Sequence, residues 1–243
     1  MGEKLVELKN VTKKYKNTVA VNEVSLTLEK GKIYGLVGKN GAGKTTIMRM
    51  IMGLSIPTSG AVNVSVNGMG TLIEAPALNE GMSASENIRF YSMLSKNSLS
   101  ANSQAKASNA GKTPYTADQL LKIVGLENTG KKKVKDFSLG MRQRLGIAIA
   151  LVDKPDFVML DEPINGLDPI GVVEIRKLIK ESNEKENITF LISSHNLPEL
   201  YNTATEFIII DNGKMKKQIS AEQLENEKNE NLEEYFLSVI KEV

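Results

Sequence analysis

Cysteine is absent from the sequence, which excludes disulfides and thiolate metal sites and suits a reducing compartment. An excess of charge is missing as well: 31 Lys and Arg against 29 Asp and Glu leave a formal net charge of +2. That balance argues against a dedicated nucleic-acid binder, because counterion release rewards a concentrated basic face. Long apolar runs are also lacking. A bilayer-spanning helix needs about 18 or more consecutive apolar residues, whereas the longest run, Leu145 to Val152, contains Gly146 and stops at Asp153. Met1 to Val6 has no apolar core of a signal peptide, and Val6 breaks the myristoylation pattern. Any membrane partner is therefore expected to be a separate chain.

What is present is ordinary for a globular protein. Hydrophobic residues make up 41 % and charged residues 25 % of 243 positions, enough to bury a core in one domain with a smaller lobe. Val24, Leu26 and Leu28 alternate as in a strand with one buried face, and Val62, Val64 and Val66 do the same. Ile33 to Val37 is a short apolar run that leads into a Gly-rich loop and then a helix-period segment, Thr45 to Leu54. Thr71 to Ile73 is a further short strand. Helical patterning runs from Ser85 to Leu94, Ala117 to Val124 and Leu139 to Leu151. Between the first two, Lys96 to Lys112 is poor in groups that could be buried and is expected to form a mobile loop. Phe157 to Leu160 and Ile188 to Ile192 read as buried parallel strands, with a helix around Gly171 to Asn183 between them. Asp211-Asn212-Gly213 is a hairpin turn between strands, and Leu232, Phe236, Val239 and Ile240 give the tail an amphipathic helix expected to pack on its own domain. Met48, Met50 and Met52 read as core filling, and Lys131, Lys132, Lys133 and Lys135 as a solvated face.

The chemistry concentrates in three segments. Gly38-Lys39-Asn40-Gly41-Ala42-Gly43-Lys44-Thr45, with Thr46 beside it, matches the pattern of a phosphate loop between a strand and a helix. Glycines let backbone N–H groups curl around phosphate oxygens, Lys44 supplies a point charge, and the Thr45 hydroxyl suits Mg²⁺. Phe157 to Leu160 ends in Asp161-Glu162. A carboxylate at the carboxyl end of a parallel strand can hold the metal, and its neighbour can polarise an attacking water, although acidic residues after a strand are also common helix caps. The third segment, Phe137-Ser138-Leu139-Gly140-Met141-Arg142-Gln143-Arg144, offers a hydroxyl and a backbone N–H at a helix start. Taken alone it would read as an ordinary capped core helix.

Together these segments resemble the ABC ATPases. Ser138 to Arg144 is similar to the signature loop written LSGGQ, with Leu139 in place of its first glycine and Met141 in place of its glutamine. The resemblance implies that Ser138, Gly140 and Met141 of one copy meet the ATP held by a second, head-to-tail copy. It makes Tyr15 the aromatic that stacks on adenine, in the loop before the second strand. Asn165-Gly166-Leu167-Asp168 becomes the D-loop at the dimer interface, Glu162 the catalytic carboxylate, and His195 the switch histidine contacting the γ-phosphate. Glu74 stands where the family has a glutamine, and would join Thr45 and Asp161 as a metal ligand. That substitution, with the signature and D-loop wording, is similar to ATPases that protect bacteria from lantibiotics and bacitracin.

The fold implied is α/β: a phosphate-loop ABC-type nucleotide-binding domain with a RecA-like core, an antiparallel β subdomain and a small helical subdomain. The expected division is 1–84 with 153–220 for the ATP-binding core, 85–152 for the helical subdomain and 221–243 for a helical tail. The resemblance further implies ATP and Mg²⁺ as cofactors, a homodimer, membrane permease subunits as partners, no nucleic acid, and a place on the cytoplasmic face of a bacterial membrane. The function expected is ATP hydrolysis driving export of a peptide antibiotic. The rival readings are an ATPase for another exporter, a soluble ABC ATPase, a phosphate-loop kinase or GTPase, and a non-catalytic ATP-binding regulator. A kinase or GTPase would leave Ser138 to Arg144 and His195 without a role.

Overall fold

The computed structural model describes residues 2–73, 76–101, 114–195, 197–226 and 232–241. In chain order the elements are β1 (Lys4–Tyr15), β2 (Thr18–Glu29), β3 (Ile33–Val37), α1 (Lys44–Ile51), β4 (Ser59–Val64), β5 (Met69–Leu72), α2 (Ala84–Ala101), α3 (Ala117–Ile123), α4 (Leu139–Ala150), β6 (Phe157–Asp161), α5 (Pro169–Glu186), β7 (Thr189–Ser194), α6 (Leu197–Tyr201), β8 (Glu206–Asp211), β9 (Lys214–Ser220), α7 (Ala221–Asn226) and α8 (Leu232–Lys241). The chain divides into two compact units, Met1–Ser65 with Thr189–Val243, and Val66–Ile188.

The first unit holds two sheets. Strands β2, β1 and β4 form an antiparallel sheet in that order, with Val24, Leu26 and Leu28 of β2 buried as their alternation requires. The edge strand β4 departs from expectation. Val62 is only half-buried, Val64 is 36 % exposed, and Val66 lies beyond the strand, because β4 pairs with β1 on one side alone. In the second sheet of this unit, β3 runs parallel to both β7 and β8, and β9 returns antiparallel to β8. Every residue of β3 and β7 is buried, including Thr189, Ser193 and Ser194 of β7, as expected of strands covered on both faces. The β8–β9 turn has positive φ at Asn212 (47°) and Gly213 (75°), the two-residue geometry that Asn-Gly favours. Helix α8 packs on α6 and β9, burying Phe236 and Val239, and the Lys217 ammonium lies 5.0 Å from the centre of the Tyr235 ring.

The second unit pairs β5 with β6 in parallel and gathers α2, α3 and α4 beside them. Helix α4 is buried almost all round, through Gln143, Leu145, Gly146, Ile147, Ala148 and Ala150. Its far end touches backbone: a Cβ on Gly70 would lie 2.0 Å from the Ala150 carbonyl oxygen. A reciprocal cap between Ser83 and Glu86 starts α2, and with Lys133 it pulls the Glu86 carboxyl down to about 2. Buried Asn87 binds the backbone of both Asn79 and Ser83, which fixes the turn ahead of α2.

Three boundaries differ from those expected. Helix α1 stops at Ile51 rather than Leu54, because Gly53 adopts φ 74° and turns the chain outward. Helix α2 continues to Ala101, so residues 96–101 are helical, and 102–112 of the expected mobile loop lie outside the described residues. No glycine or proline stands between Ser85 and Ala101 to break that helix. Helix α5 begins earlier, at Pro169, since Asp168 caps it and proline suits its first turn.

The Gly70–Ala150 approach leaves no room for a methyl group. Gly70→Ala should lower the unfolding free energy by about 1–3 kcal/mol, read from the midpoint and slope of urea denaturation.

Candidate functional site

The phosphate loop leaves the buried strand β3 and ends as α1 begins. Its shape depends on missing side chains. A Cβ on Gly38 would lie 2.4 Å from the Ile210 carbonyl oxygen, and one on Gly43 would lie 2.6 Å from that of Ala20. Gly41 and Gly43 also adopt φ values of 81° and 106°. The hairpin turn grips the loop, with the Gly213 N–H donating to the Ala42 carbonyl at 3.0 Å and the Asn22 N–H to the Gly213 carbonyl at 2.8 Å. Sequence reading identified the Asn212-Gly213 turn but not this buttressing role.

Lys44 is only 6 % exposed, and its ammonium donates to the carbonyls of Gly38 at 2.7 Å and Lys39 at 3.4 Å. It is thus held within the loop whose anion it would balance. No side chain caps α1 and no acidic residue occupies its first turn, so the N–H groups and positive end of the helix favour an anion there. Lys39, Asn40 and Gly41 are exposed, Ala42 is buried, and Thr45 and Thr46 are half-buried.

Tyr15 is the last residue of β1 rather than part of the following loop. Its ring is 44 % exposed, its hydroxyl lies 3.2 Å from Ser55 Oγ, and the Lys13 ammonium sits 5.0 Å from the ring centre. Register pairs Val37 with Ser194, so the phosphate loop and exposed His195 leave neighbouring parallel strands at the same carboxyl edge.

In the second unit, Asp161 ends β6 and is buried, while half-buried Glu162 adopts φ 49°. A positive φ at a residue with a Cβ is uncommon and costs conformational energy, and it redirects the chain directly after the metal-binding candidate. Ser138 caps α4 by accepting the Met141 N–H at 3.3 Å. That contact uses a lone pair of the hydroxyl and leaves its proton to be donated. Gly140 lies in the first turn of α4, where N–H groups have no intrahelical acceptor. Asp168 caps α5, accepting the Gly171 N–H at 2.8 Å. The fold brings the signature turn and the 165–168 loop together, with Leu167 Cδ2 3.6 Å from the Cβ position of Gly140. Glu74 lies outside the described residues.

The loop suits a nucleotide phosphate: the buried Lys44 ammonium and the uncapped start of α1 both favour an anion. A hydroxyl such as that of Thr45 and a carboxylate such as that of Asp161 belong to the hard-oxygen class that Mg²⁺ takes. Among the described residues, no three His, Asp or Glu side chains gather as a metal cage.

A family model described as ABC transporter matches residues 21–165. The chain belongs to the ABC transporter family. It is an ATP-hydrolysing subunit built on the phosphate-loop α/β fold that the family shares. The lantibiotic transport ATP-binding protein SrtF of Streptococcus pyogenes is 38 % identical, over 96 % of both chains. The bacitracin transport ATP-binding protein BcrA of Enterococcus faecalis is 36 % identical, over 97 % of this chain and 75 % of its own length. Among solved structures, the ATP-binding cassette MJ1267 in its ADP conformation superposes with a TM-score of 0.78 at 21 % identity, over 99 % of each chain. Among the described residues of this ABC subunit, no helix is long and apolar enough to cross a membrane.

Removing the buried ammonium leaves the cradle without its balancing charge. Lys44→Ala should reduce ATP turnover by at least about 100-fold, measured by phosphate release at saturating nucleotide.

Proposed function

We propose that the chain hydrolyses ATP to drive export of a peptide antibiotic, of the lantibiotic or bacitracin type, through separate membrane permease subunits. The observation that carries this reading is similarity to SrtF along 96 % of both chains, combined with a glycine-built anion cradle. The name of BcrA points to the same substrate class. The subunit would then work at the cytoplasmic face of a bacterial membrane. The rival reading is an ATPase for an exporter of another substrate.

In this mechanism Tyr15 stacks on adenine, and residues 38–46 hold the phosphates with Lys44 against the β- and γ-oxygens. Thr45, Asp161 and Glu74 would supply the oxygen donors for Mg²⁺, which would neutralise charge on the phosphates. Glu162 orients a water and accepts its proton as oxygen attacks the γ-phosphorus, and ADP departs. His195 contacts the γ-phosphate and the catalytic carboxylate. Ser138, Gly140 and Met141 come from a second copy, so two subunits pair head to tail, with Asp168 in the crossing loop. The division into a core of 1–84 with 153–220, a helical part of 85–152 and a tail of 221–243 belongs to this reading.

Glu162→Gln removes the base and keeps the binding groups. Turnover should fall by about 100-fold to 10,000-fold, while ATP with Mg²⁺ drives the variant to a dimer in size-exclusion chromatography. Cells carrying it with the permease should lose resistance to the exported peptide; unchanged resistance would count against the transport role. Glu74→Gln exchanges a charged metal ligand for a neutral one, so the Mg²⁺ concentration for half-maximal turnover should rise by about tenfold. A titration identical to wild type would remove Glu74 from the metal set.

A further inference from the structure

The signature segment departs from its family pattern at Leu139, and that side chain has a defined place. Leu139 opens α4, is 54 % exposed, and stands between Ser138 and Gly140, the two proposed nucleotide donors. A Cβ built on Gly166 would meet Leu139 Cδ2 at 2.9 Å, the one contact within 4 Å there among the described residues. The reverse also holds: a Cβ on Gly140 would meet Leu167 Cδ2 at 3.6 Å and nothing nearer. Each loop thus lays a leucine over the glycine of the other. Further along, Arg144 of α4 bonds Glu174 of α5 at 3.1 Å, with the arginine side chain only 18 % exposed. The 3.3 Å cap from Ser138 to Met141 is a long hydrogen bond and holds the turn weakly by itself.

We propose that Leu139 is a positioning residue. By seating on Gly166 it ties the signature turn to the 165–168 loop of the same subunit, so that the loop's position sets the direction of the Ser138 hydroxyl and the Gly140 N–H. This rests on the reading of Ser138 and Gly140 as nucleotide donors. A Cβ at position 166 would press on the end of the Leu139 side chain and displace it from its seat. Gly166 leaves that seat open, and its φ of 74° turns the loop backbone there. The leucine of the signature turn and the glycine of the 165–168 loop therefore function as one matched pair.

A double-mutant cycle on the full-length chain tests the pairing through steady-state ATPase rates and ATP affinity. Gly166→Ala should lower kcat about tenfold when Leu139 is present and only about twofold in Leu139→Gly, a non-additivity expected of residues in contact. The backbone strain of alanine at a positive φ is common to both backgrounds and cancels. The Kd for ATP should stay unchanged, because the phosphate loop is untouched. Leu139→Met keeps an apolar arm of similar volume and should retain kcat to within about twofold. If Gly166→Ala does not fold, as judged by thermal melting, Gly166→Asn keeps the Cβ in a residue that tolerates this φ. Equal fold-losses in both backgrounds, or a change confined to ATP affinity, would overturn the proposal. Ser138→Ala, measured alongside, separates the two ideas. Wild-type turnover there sinks the donor reading, whereas reduced turnover with an additive cycle sinks only the Leu139–Gly166 link.

Discussion

Between Val37 and Lys44 the backbone passes so close to the carbonyls of Ile210 and Ala20 that no side chain fits at residues 38 and 43. The rest of the site depends on that constraint. It turns successive N–H groups inward, seats the Lys44 ammonium among the loop's own carbonyls, and delivers the chain to α1 with no side-chain cap. The supports come from distant sequence. Ala20 belongs to β2 and Ile210 to β8, and the turn at Gly213 hydrogen-bonds the loop from outside. An anion cradle of this type is therefore a property of the packed unit, although its pattern occupies only a few residues.

This explains what could be read in the sequence and what could not. Strands β3, β6 and β7 are buried at every position, so their apolar runs carried an unambiguous signal. The phosphate loop and the hairpin turn were legible because positive φ values favour glycine at 41, 43 and 213 and asparagine at 212. Tertiary contacts were not. Gly70 has no motif around it, and its need for glycine comes from the Ala150 carbonyl roughly eighty positions away in sequence. Asn87 looked like any polar residue on a helix, yet it is buried and satisfies three backbone groups. The length of α2 was underestimated because polar composition was taken as a sign of a loop, whereas Ser, Lys and Ala tolerate a helix well.

At the ends of elements, structural duties fall on the same atoms to which the proposed mechanism gives a nucleotide role. Ser138 caps α4 as an acceptor while its proton remains available, and Asp168 caps α5 beside the loop that would cross to a second copy. The choice between an ordinary helix cap and a nucleotide contact was thus never exclusive. A cap fixes the hydroxyl's position cheaply, and fixed position is what an electrostatic contact to a transferring phosphoryl group needs. Glu162 follows the same logic from the opposite direction. Its positive φ is unfavourable for a side-chain-bearing residue, and the buried strand before it holds the chain there.

Leu139, which departs from the signature pattern, and Gly166 of the facing loop extend this reasoning from single residues to a pair. A glycine at position 139 would leave the start of α4 free to adjust, with the Ser138 cap as its main local restraint. A leucine there restricts the turn only if a neighbouring surface receives it, and a Cβ added at Gly166 would meet Leu139 Cδ2 at 2.9 Å. Substituting either residue alone therefore changes the environment of the other. The Arg144–Glu174 bond carries the same association further along the two helices. In such an arrangement, a displacement of the 165–168 loop reaches the signature donors through direct side-chain contact within one subunit, which gives a dimer-spanning loop a physical route to the nucleotide groups its own subunit presents.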